Sequence, residues 1–313
     1  MRDAPIRGRV RIAYFGLPLG ALLLDQDGHD LVTVALSRTD AVGLRRAQRR
    51  FAGRLWEKPR IVAKEWATRL REARAELLVS WFWTNRLPMA LVEACPLGGF
   101  GVHPSLLPRH RGPDPYFWAI ESGDEVTGVT AHRIAADYDT GAMLAQRELR
   151  IDPRWDAWRL ARALDRPSLA LLREVAARFA SGDPPADQPQ REQDATLAPA
   201  PDDDWASLDL HQPTERLLRR VRALGPTPGA YFALGDDNVV VLAAEVAPRF
   251  PRALEPGEAA VVDGHAVLRT GDGAMRLLRG QREGDETELG ASELAALVAA
   301  AVPGAPNGDS VGA

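Results

Sequence analysis

The stretch VRIAYFGLPLGALLLDQDGHDLVTVAL, residues 10–36, determines the fold class. Its first apolar run ends at Gly16 and predicts a buried strand, and residues 17–27 then predict a helix that Gly28 ends. The β-branched run at residues 31–36 predicts a second strand. A strand, a helix and a strand in this order predict a parallel sheet with helices packed on its faces.

The same alternation of strands and helices continues to about residue 180. Further strands are predicted at residues 77–83, 100–102 and 129–134, and helices at residues 62–75, 88–94 and 157–179, the last interrupted by Pro167. The predicted fold class is therefore α/β, with a Rossmann-like, mostly parallel sheet in a catalytic domain that spans residues 1–182.

A proline-rich and acidic segment follows this domain. Residues 183–204 contain five prolines and cannot hold a long helix, so they predict an interdomain linker. Beyond a helix at residues 214–224, five short β-rich runs separated by turn signals predict a small barrel, similar to an OB fold, within residues 205–300. Residues 301–313 predict a disordered tail.

The composition excludes several classes of protein. Charged residues make up 26% and hydrophobic residues 45%, and the formal net charge is −4, which disfavours a general polyanion binder. The basic run from Arg45 to Arg50 fits a solvated helix face or an anionic partner. The single cysteine, Cys95, excludes an intrachain disulfide and a thiolate metal cluster, and its apolar surroundings favour a core residue over a nucleophile.

The sequence shows no signal peptide and no stretch of about eighteen apolar residues that could cross a membrane. A cytoplasmic location without membrane association is therefore the expectation. No metal site is expected either. The oligomeric state cannot be predicted from these residues.

Two loops carry the candidate chemistry. Residues 102–115 contain His103 within a rigid, proline-rich stretch that follows a predicted strand, and Asp139 follows the strand predicted at residues 129–134. Because the carboxyl ends of parallel strands line the binding crevice of an open sheet, both side chains are expected at one rim. A carboxylate beside an imidazole can fix its tautomer and stabilise its protonated form, although a capping histidine and a loop-shaping aspartate remain alternatives.

Four blocks of sequence, in this order and spacing, resemble the methionyl-tRNA formyltransferase family and, more broadly, the 10-formyltetrahydrofolate-dependent formyltransferases. The blocks are His103-Pro-Ser-Leu-Leu-Pro-Arg109, Arg111-Gly-Pro-Asp-Pro115, Thr127-Gly-Val-Thr130 and Asp139-Thr-Gly-Ala-Met-Leu144. Weaker matches extend the resemblance over residues 8–285. It implies a folate-dependent one-carbon transferase that uses 10-formyltetrahydrofolate as the formyl donor.

The resemblance also implies which residues form the site. The family uses an Asn, His and Asp trio, of which His103 and Asp139 are present, whereas Gly101 occupies the position of the Asn. A backbone N–H group, a water molecule or Asn85 could replace the missing donor. The expected folate-binding residues are Phe82, Trp83, Leu87, Ile134, Asp137 and Tyr138, and at least one residue of the Trp81 to Trp83 run must belong to the core.

The acceptor is less well determined. Residues 37–59 lack the basic, glycine-rich insertion of the tRNA-specific family members, which disfavours tRNA and favours an amino group on a small metabolite, a sugar or a carrier-bound aminoacyl group. Two alternatives remain open. The glycine at position 101 can indicate altered folate chemistry, such as formyl hydrolysis or transfer to another nucleophile, or a domain that binds folate or a partner without catalysis.

Overall fold

A computed structural model describes residues 8–235 and 237–302, which form two compact units. Unit 1 contains the residues up to Pro115, Val126–Arg150 and Ala161–Pro199. Unit 2 contains Tyr116–Glu125, Ile151–Leu160 and the residues from Ala200 onward. Each unit has its own sheet.

The sheet of unit 1 has seven strands in the order β3-β2-β1-β4-β5-β6-β7. The strands are β1 (Arg11–Gly16), β2 (Asp30–Leu36), β3 (Leu55–Glu57), β4 (Leu77–Trp81), β5 (Gly99–His103), β6 (Val126–Arg133) and β7 (Met143–Arg150). The first five in this order are parallel, which confirms the predicted Rossmann-like class. The central strands are apolar and buried because helices cover both faces of a parallel sheet.

The direction of β6 differs from the expectation. It pairs antiparallel with β5, so that Gly101 lies opposite His132, and β7 pairs antiparallel with β6. The carboxyl end of β6 therefore lies at the amino end of β5, away from His103. The connection between these strands, residues 104–125, contains a helix and is long enough for the crossover that parallel pairing needs, so sequence spacing alone did not reveal the reversal.

Nine α-helices lie in the described residues. They are α1 (Pro18–Gln26), α2 (Leu44–Arg50), α3 (Ala63–Glu72), α4 (Met89–Glu93), α5 (Pro115–Glu121), α6 (Ala157–Ala180), α7 (Asp203–Ala206), α8 (Thr214–Leu224) and α9 (Ala291–Ala301). Helix α6 continues through Pro167. No helix in residues 8–235 or 237–302 is long and apolar enough to cross a membrane.

Most of the predicted linker at residues 183–204 belongs to unit 1. Met143 and Gln188 exchange two backbone hydrogen bonds of 2.8 and 2.9 Å, and the backbone N–H group of Ala198 donates to the Arg111 carbonyl at 2.7 Å. Prolines exclude a long helix here, but they allow an extended chain whose remaining N–H groups bind a neighbouring loop. The compact unit therefore extends to Pro199, beyond the predicted domain boundary at residue 182.

Unit 2 contains a curled antiparallel sheet in the order β10-β11-β12-β9-β8, with β13 paired to β12. Its strands are β8 (Ala230–Leu234), β9 (Asp237–Val246), β10 (Ala259–Val262), β11 (His265–Arg269), β12 (Ala274–Arg282) and β13 (Leu289–Gly290). Helices α8 and α9 pack against it. The curled sheet agrees with the predicted small β domain, whereas most of the predicted tail, residues 303–313, lies outside the described part of the chain.

Helix α5 was not predicted, and its residues from Tyr116 onward belong to unit 2. Glu121 at its end forms a bidentate ion pair with Arg220 at 2.6 and 2.9 Å, and both side chains are largely buried. The Arg220 guanidinium also lies 4.2 Å from the centre of the Trp205 ring, which contacts Trp118. These long-range contacts explain why local sequence patterns did not assign this segment to the second unit.

Cys95 is buried in the apolar cluster between the unit 1 sheet and helices α3 and α4. Burial raises the pKa of its thiol to about 12, so the thiol is protonated at neutral pH. This supports its interpretation as a core residue.

We predict that Glu121→Leu destabilises the protein by about 3–5 kcal/mol, because it leaves the buried Arg220 guanidinium without its carboxylate. Glu121→Leu combined with Arg220→Met is expected to lose less, since no buried charge remains. Urea denaturation followed by tryptophan fluorescence measures both variants. A double variant that is less stable than Glu121→Leu alone would contradict this explanation.

Candidate active site

The loop that follows His103 is held by a buried hydroxyl on the neighbouring strand β6. The Thr130 hydroxyl donates to the Ser105 carbonyl at 2.7 Å and accepts from the Leu107 N–H group at 3.0 Å. The Gln146 amide donates to both the Thr130 hydroxyl and the Leu107 carbonyl, each at 2.9 Å. The proline-rich loop therefore leaves β5 in one defined path, with His103 as the last residue of the strand.

The imidazole of His103 is buried and contacts polar groups through both nitrogens. Its Nε2 lies 2.8 Å from the His110 carbonyl oxygen and therefore donates to it. Its Nδ1 lies 3.5 Å from Oδ2 of Asp139. Catalytic hydrogen bonds are commonly long before a substrate closes the site, so this separation is compatible with a working pair.

Asp139 is held in place by its backbone and by the loop opposite. Its φ of 56° is left-handed, which aspartate tolerates better than most residues, and its Oδ2 accepts from the Gly112 N–H group at 3.0 Å. A Cβ on Gly141 would lie 1.8 Å from the Arg133 carbonyl oxygen, so only glycine fits there. The Ile134 to Ala142 loop thus folds back along β6 and brings Asp139 to His103 despite the antiparallel strand.

His132 is the site residue that sequence reasoning missed. Its Nε2 lies 3.5 Å from Oδ1 of Asp139, so the one carboxylate lies between two imidazoles. Its Nδ1 lies 2.9 Å from the Arg133 carbonyl oxygen, and its ring stands nearly perpendicular to that of His103, with centroids 6.4 Å apart. Burial lowers the pKa of His132, while the Asp139 carboxylate opposes that shift.

Gly101 lies directly across the sheet from His132. A Cβ at this position would lie 3.5 Å from the Ser80 carbonyl oxygen and 3.8 Å from Nε2 of His132, which are ordinary van der Waals distances. The backbone of Gly101 is not left-handed, so neither strain nor crowding requires glycine here. Knowledge of the antiparallel register would have connected the two positions, since residues opposite each other on one face are neighbours.

Gln190 joins the two active-site loops and was also missed. Its amide donates to the carbonyl oxygens of Asp139 and Gly141, both at 2.7 Å, and its Oε1 accepts from the Arg111 guanidinium at 2.8 and 2.9 Å. Arg111 is buried and also pairs with Glu192 at 2.9 Å. Gln190 lies in the segment interpreted as a linker, and no local pattern indicated its role.

Three of the residues expected to bind folate lie in one apolar cluster. Leu87 is buried there, and Trp83 and Ile134 pack against the cluster. The Trp83 ring meets Phe15 edge to face, with centroids 5.4 Å apart. The indole Nε1 of Trp83 is buried, and it has no hydrogen-bond partner among the described residues.

The remaining expected residues lie around this cluster. Trp81 is the core member of the aromatic run, because its buried indole donates to the Ser168 hydroxyl at 2.8 Å, while the partly buried Phe82 contacts its ring. Asp137 pairs with Arg86 at 2.9 Å at the surface, and Tyr138 is 55% exposed. Asn85 is exposed, and the polar group beside Gly101 is His132 instead.

No group of three or more His, Cys, Asp or Glu side chains within residues 8–235 and 237–302 is arranged to hold a metal ion.

Comparison with known proteins identifies the family. The Formyl transferase family matches residues 24–175, and the Formyl transferase C-terminal domain family matches residues 203–296. The chain belongs to the formyltransferase family. Along the sequence, the formyltransferase match is followed by the match to its C-terminal domain.

Similar formyltransferases and solved structures differ in what they act on. A methionyl-tRNA formyltransferase of Koribacter versatilis (strain Ellin345) is 36% identical over 199 residues, which are 63% of this chain and 62% of that protein. The crystal structure of HypX from Aquifex aeolicus with tetrahydrofolic acid covers 95% of this chain and 48% of HypX, with 19% identity and a TM-score of 0.62.

An N-formyltransferase from Helicobacter canadensis, solved with folinic acid and dTDP-3-aminofucose, covers 87% of this chain and 99% of its own, with 14% identity and a TM-score of 0.64. At these identities the structures support the fold alone. The chain spans less than two thirds of the length of both the Koribacter relative and HypX.

We predict that Gln190→Leu loosens the formyltransferase loop that carries Asp139, because it removes two donors and one acceptor at nearly constant side-chain volume. Hydrogen exchange of the backbone amides in residues 137–142 should accelerate, with the overall fold retained. Gln48→Leu is the matched control, since Gln48 bonds only to the exposed Glu57 side chain. Unchanged exchange in Gln190→Leu would mean that Gln190 does not hold the loop.

Proposed function

We propose that this chain transfers a formyl group from 10-formyltetrahydrofolate to an amino group of a small metabolite, a sugar or a carrier-bound aminoacyl substrate. The observation that carries the proposal is the contact between the buried His103 imidazole and the partly buried Asp139 carboxylate, both within the residues that match the Formyl transferase family. A carboxylate beside an imidazole is the arrangement that acyl transfer uses to position a proton.

The residues around the apolar cluster fit a folate. Folates need an apolar, partly aromatic slot with a few polar contacts. Trp83, Leu87 and Ile134 supply the apolar surface, and the buried Trp83 Nε1–H group lacks an acceptor in the described protein. Phe82, Asp137 and Tyr138 are proposed as further contacts at the edge of this slot. When bound, 10-formyltetrahydrofolate supplies the activated formyl group.

His103 is proposed to act through its Nδ1 atom. Its Nε2–H group is used by the His110 carbonyl, so only Nδ1 can present a proton toward substrate. This role requires a proton on Nδ1 as well as on Nε2, and an Asp139 carboxylate oxygen lies 3.5 Å from Nδ1. A donor at this atom stabilises negative charge on the formyl oxygen and can then give its proton to the leaving nitrogen.

The acceptor is proposed to be a small or carrier-bound amine. The Helicobacter canadensis structure contains an amino sugar nucleotide, which supports an acceptor of this kind. The Koribacter versatilis relative is a methionyl-tRNA formyltransferase, so tRNA is the second acceptor to test. Formyl hydrolysis is the alternative that Gly101 favours, because the side-chain donor that the family places at this position is absent.

An assay with 10-formyltetrahydrofolate and separate acceptors tests the function. The acceptors are an amino sugar nucleotide, an aminoacyl-pantetheine, methionyl-tRNA and water alone. We expect formyl transfer to one of the small amines, and we expect His103→Ala and Asp139→Ala each to lower turnover by at least about 10²-fold. The two losses should not add fully, because the residues act as a unit.

Two results would contradict the proposal. Formyl release that is independent of any amine would indicate a hydrolase, and failure of the wild-type protein to bind a stable folate analogue by calorimetry would exclude folate chemistry. Circular dichroism confirms that each variant is folded before its turnover is interpreted.

A separate prediction concerns the missing side chain at Gly101. Gly101→Ala should fold normally, because its Cβ meets atoms only at 3.5 Å and beyond. Gly101→Asn is expected to lower kcat/KM by at least about tenfold, or ~1.4 kcal/mol, because its amide extends beyond Cβ toward His132. Steady-state kinetics with the identified amine measures the effect. An increase in formyl transfer by Gly101→Asn would show instead that the chain lacks an oxyanion donor.

A further inference from the structure

We propose that His132 is a second catalytic residue of this site, whose Nε2 accepts the proton that the attacking amine releases. The inference rests on the proposed formyl transfer. An amine that attacks the formyl carbon must lose a proton, and a donor at His103 Nδ1 cannot accept it in the same step. The reaction therefore needs a base on the acceptor side, within reach of the first pair.

The hydrogen bonds of His132 determine which nitrogen is basic. Nδ1 lies 2.9 Å from the Arg133 carbonyl oxygen, which can only accept, so Nδ1 carries a proton. In the neutral ring, Nε2 then holds the free lone pair. This atom lies 3.5 Å from Oδ1 of Asp139, whereas His103 faces the other carboxylate oxygen, Oδ2.

Gly101 has no side chain that could contact the Nε2 lone pair. The strand register places His132 opposite Gly101, and a Cβ at residue 101 would lie only 3.8 Å from Nε2. A side chain of several atoms at this position would extend into the space beside the imidazole. Glycine at this position therefore places no side-chain atom against Nε2, and we propose that the amine nitrogen approaches the basic atom from this side.

Two titratable groups face His132. Asp139 lies on the loop that follows β6, and His103 lies on β5. The adjacent Arg133 guanidinium instead binds Asp187 at 2.8 Å and stacks on Phe179. Burial lowers the pKa of His132 against the opposing effect of Asp139, so the ring is neutral, as a base must be.

The proposed step balances in atoms and protons. A bond forms between the acceptor nitrogen and the formyl carbon, and the bond from that carbon to the folate nitrogen breaks. His132 Nε2 receives one proton from the acceptor nitrogen, and His103 Nδ1 gives one to the folate nitrogen. Asp139, which faces both imidazoles, then allows the proton to pass from His132 to His103 and restores the starting state.

His132 could instead only position Asp139, and two substitutions separate these roles. Gln in place of His132 can place an amide near the position of Nε2 and donate a hydrogen bond to Asp139, but it cannot act as a base. We expect both His132→Gln and His132→Ala to lower kcat by at least about 10²-fold, with unchanged affinity for a stable folate analogue. His211→Gln is the matched control, because His211 also contacts an aspartate, Asp209, but is exposed in unit 2.

The pH profile and added imidazole provide further tests. The base must be neutral, so wild-type kcat/KM should fall as the pH drops through the pKa of His132, below the ordinary histidine value of about 6.5. This acidic limb should be absent in His132→Gln. Free imidazole should raise the rate of His132→Ala, because it can enter the space that the ring has left, and should not affect His132→Gln.

Nitrogen NMR of the histidine rings in the ligand-free protein tests the tautomer without turnover. We expect a proton on Nδ1 of His132 and none on Nε2 at neutral pH. The opposite tautomer, or near-normal kcat with an unchanged pH profile in His132→Gln, would overturn the inference while leaving the proposed function intact. Wild-type protein that binds no folate analogue would instead overturn the proposed function.

Discussion

The site depends on one carboxylate that lies between two imidazoles. Asp139 places one oxygen 3.5 Å from His103 and the other 3.5 Å from His132, and the Gly112 N–H group holds it in this position. A carboxylate that is largely removed from water, as the 17% exposed Asp139 side chain is, needs hydrogen bonds or a charged partner. The left-handed backbone of Asp139, the close packing of Gly141 and the contacts of Gln190 are therefore best understood as the structure that keeps this carboxylate in place.

The antiparallel strand β6 makes this arrangement possible. If β6 were parallel to β5, its carboxyl end would lead directly to the rim, and His132 would not lie opposite Gly101. In the antiparallel register, His103 pairs with Thr130. His132 therefore lies two residues further along β6, on the same face of the sheet as His103. The loop that carries Asp139 then has to fold back, which explains its dependence on Gly141 and on the extended segment around Gln190.

The sequence predicted most of the strands and helices through apolar periodicity, which is a local signal, and its resemblance to the family pointed to His103 and Asp139, whose side chains lie 3.5 Å apart. It was insufficient where partners are distant in the chain. His132 appeared as one residue of a predicted strand, Gln190 lay in a segment assigned as a linker, and α5 joins unit 2 through an ion pair between Glu121 and Arg220. The folate-binding residues Phe82, Trp83, Leu87, Ile134, Asp137 and Tyr138 remain predictions.

The most direct test is a crystal structure of the protein with a stable 10-formyl folate analogue, which carries its formyl group on N10 as the proposed donor does. The proposed site predicts a pterin group against Trp83 and Leu87 and a formyl group whose oxygen lies within about 2.7–3.1 Å of the proton-bearing Nδ1 of His103. It also predicts that the space between the formyl carbon and His132 Nε2 is open to an amine. A folate bound elsewhere, with its formyl group out of reach of both imidazoles, would contradict the central role of the Asp139 cluster.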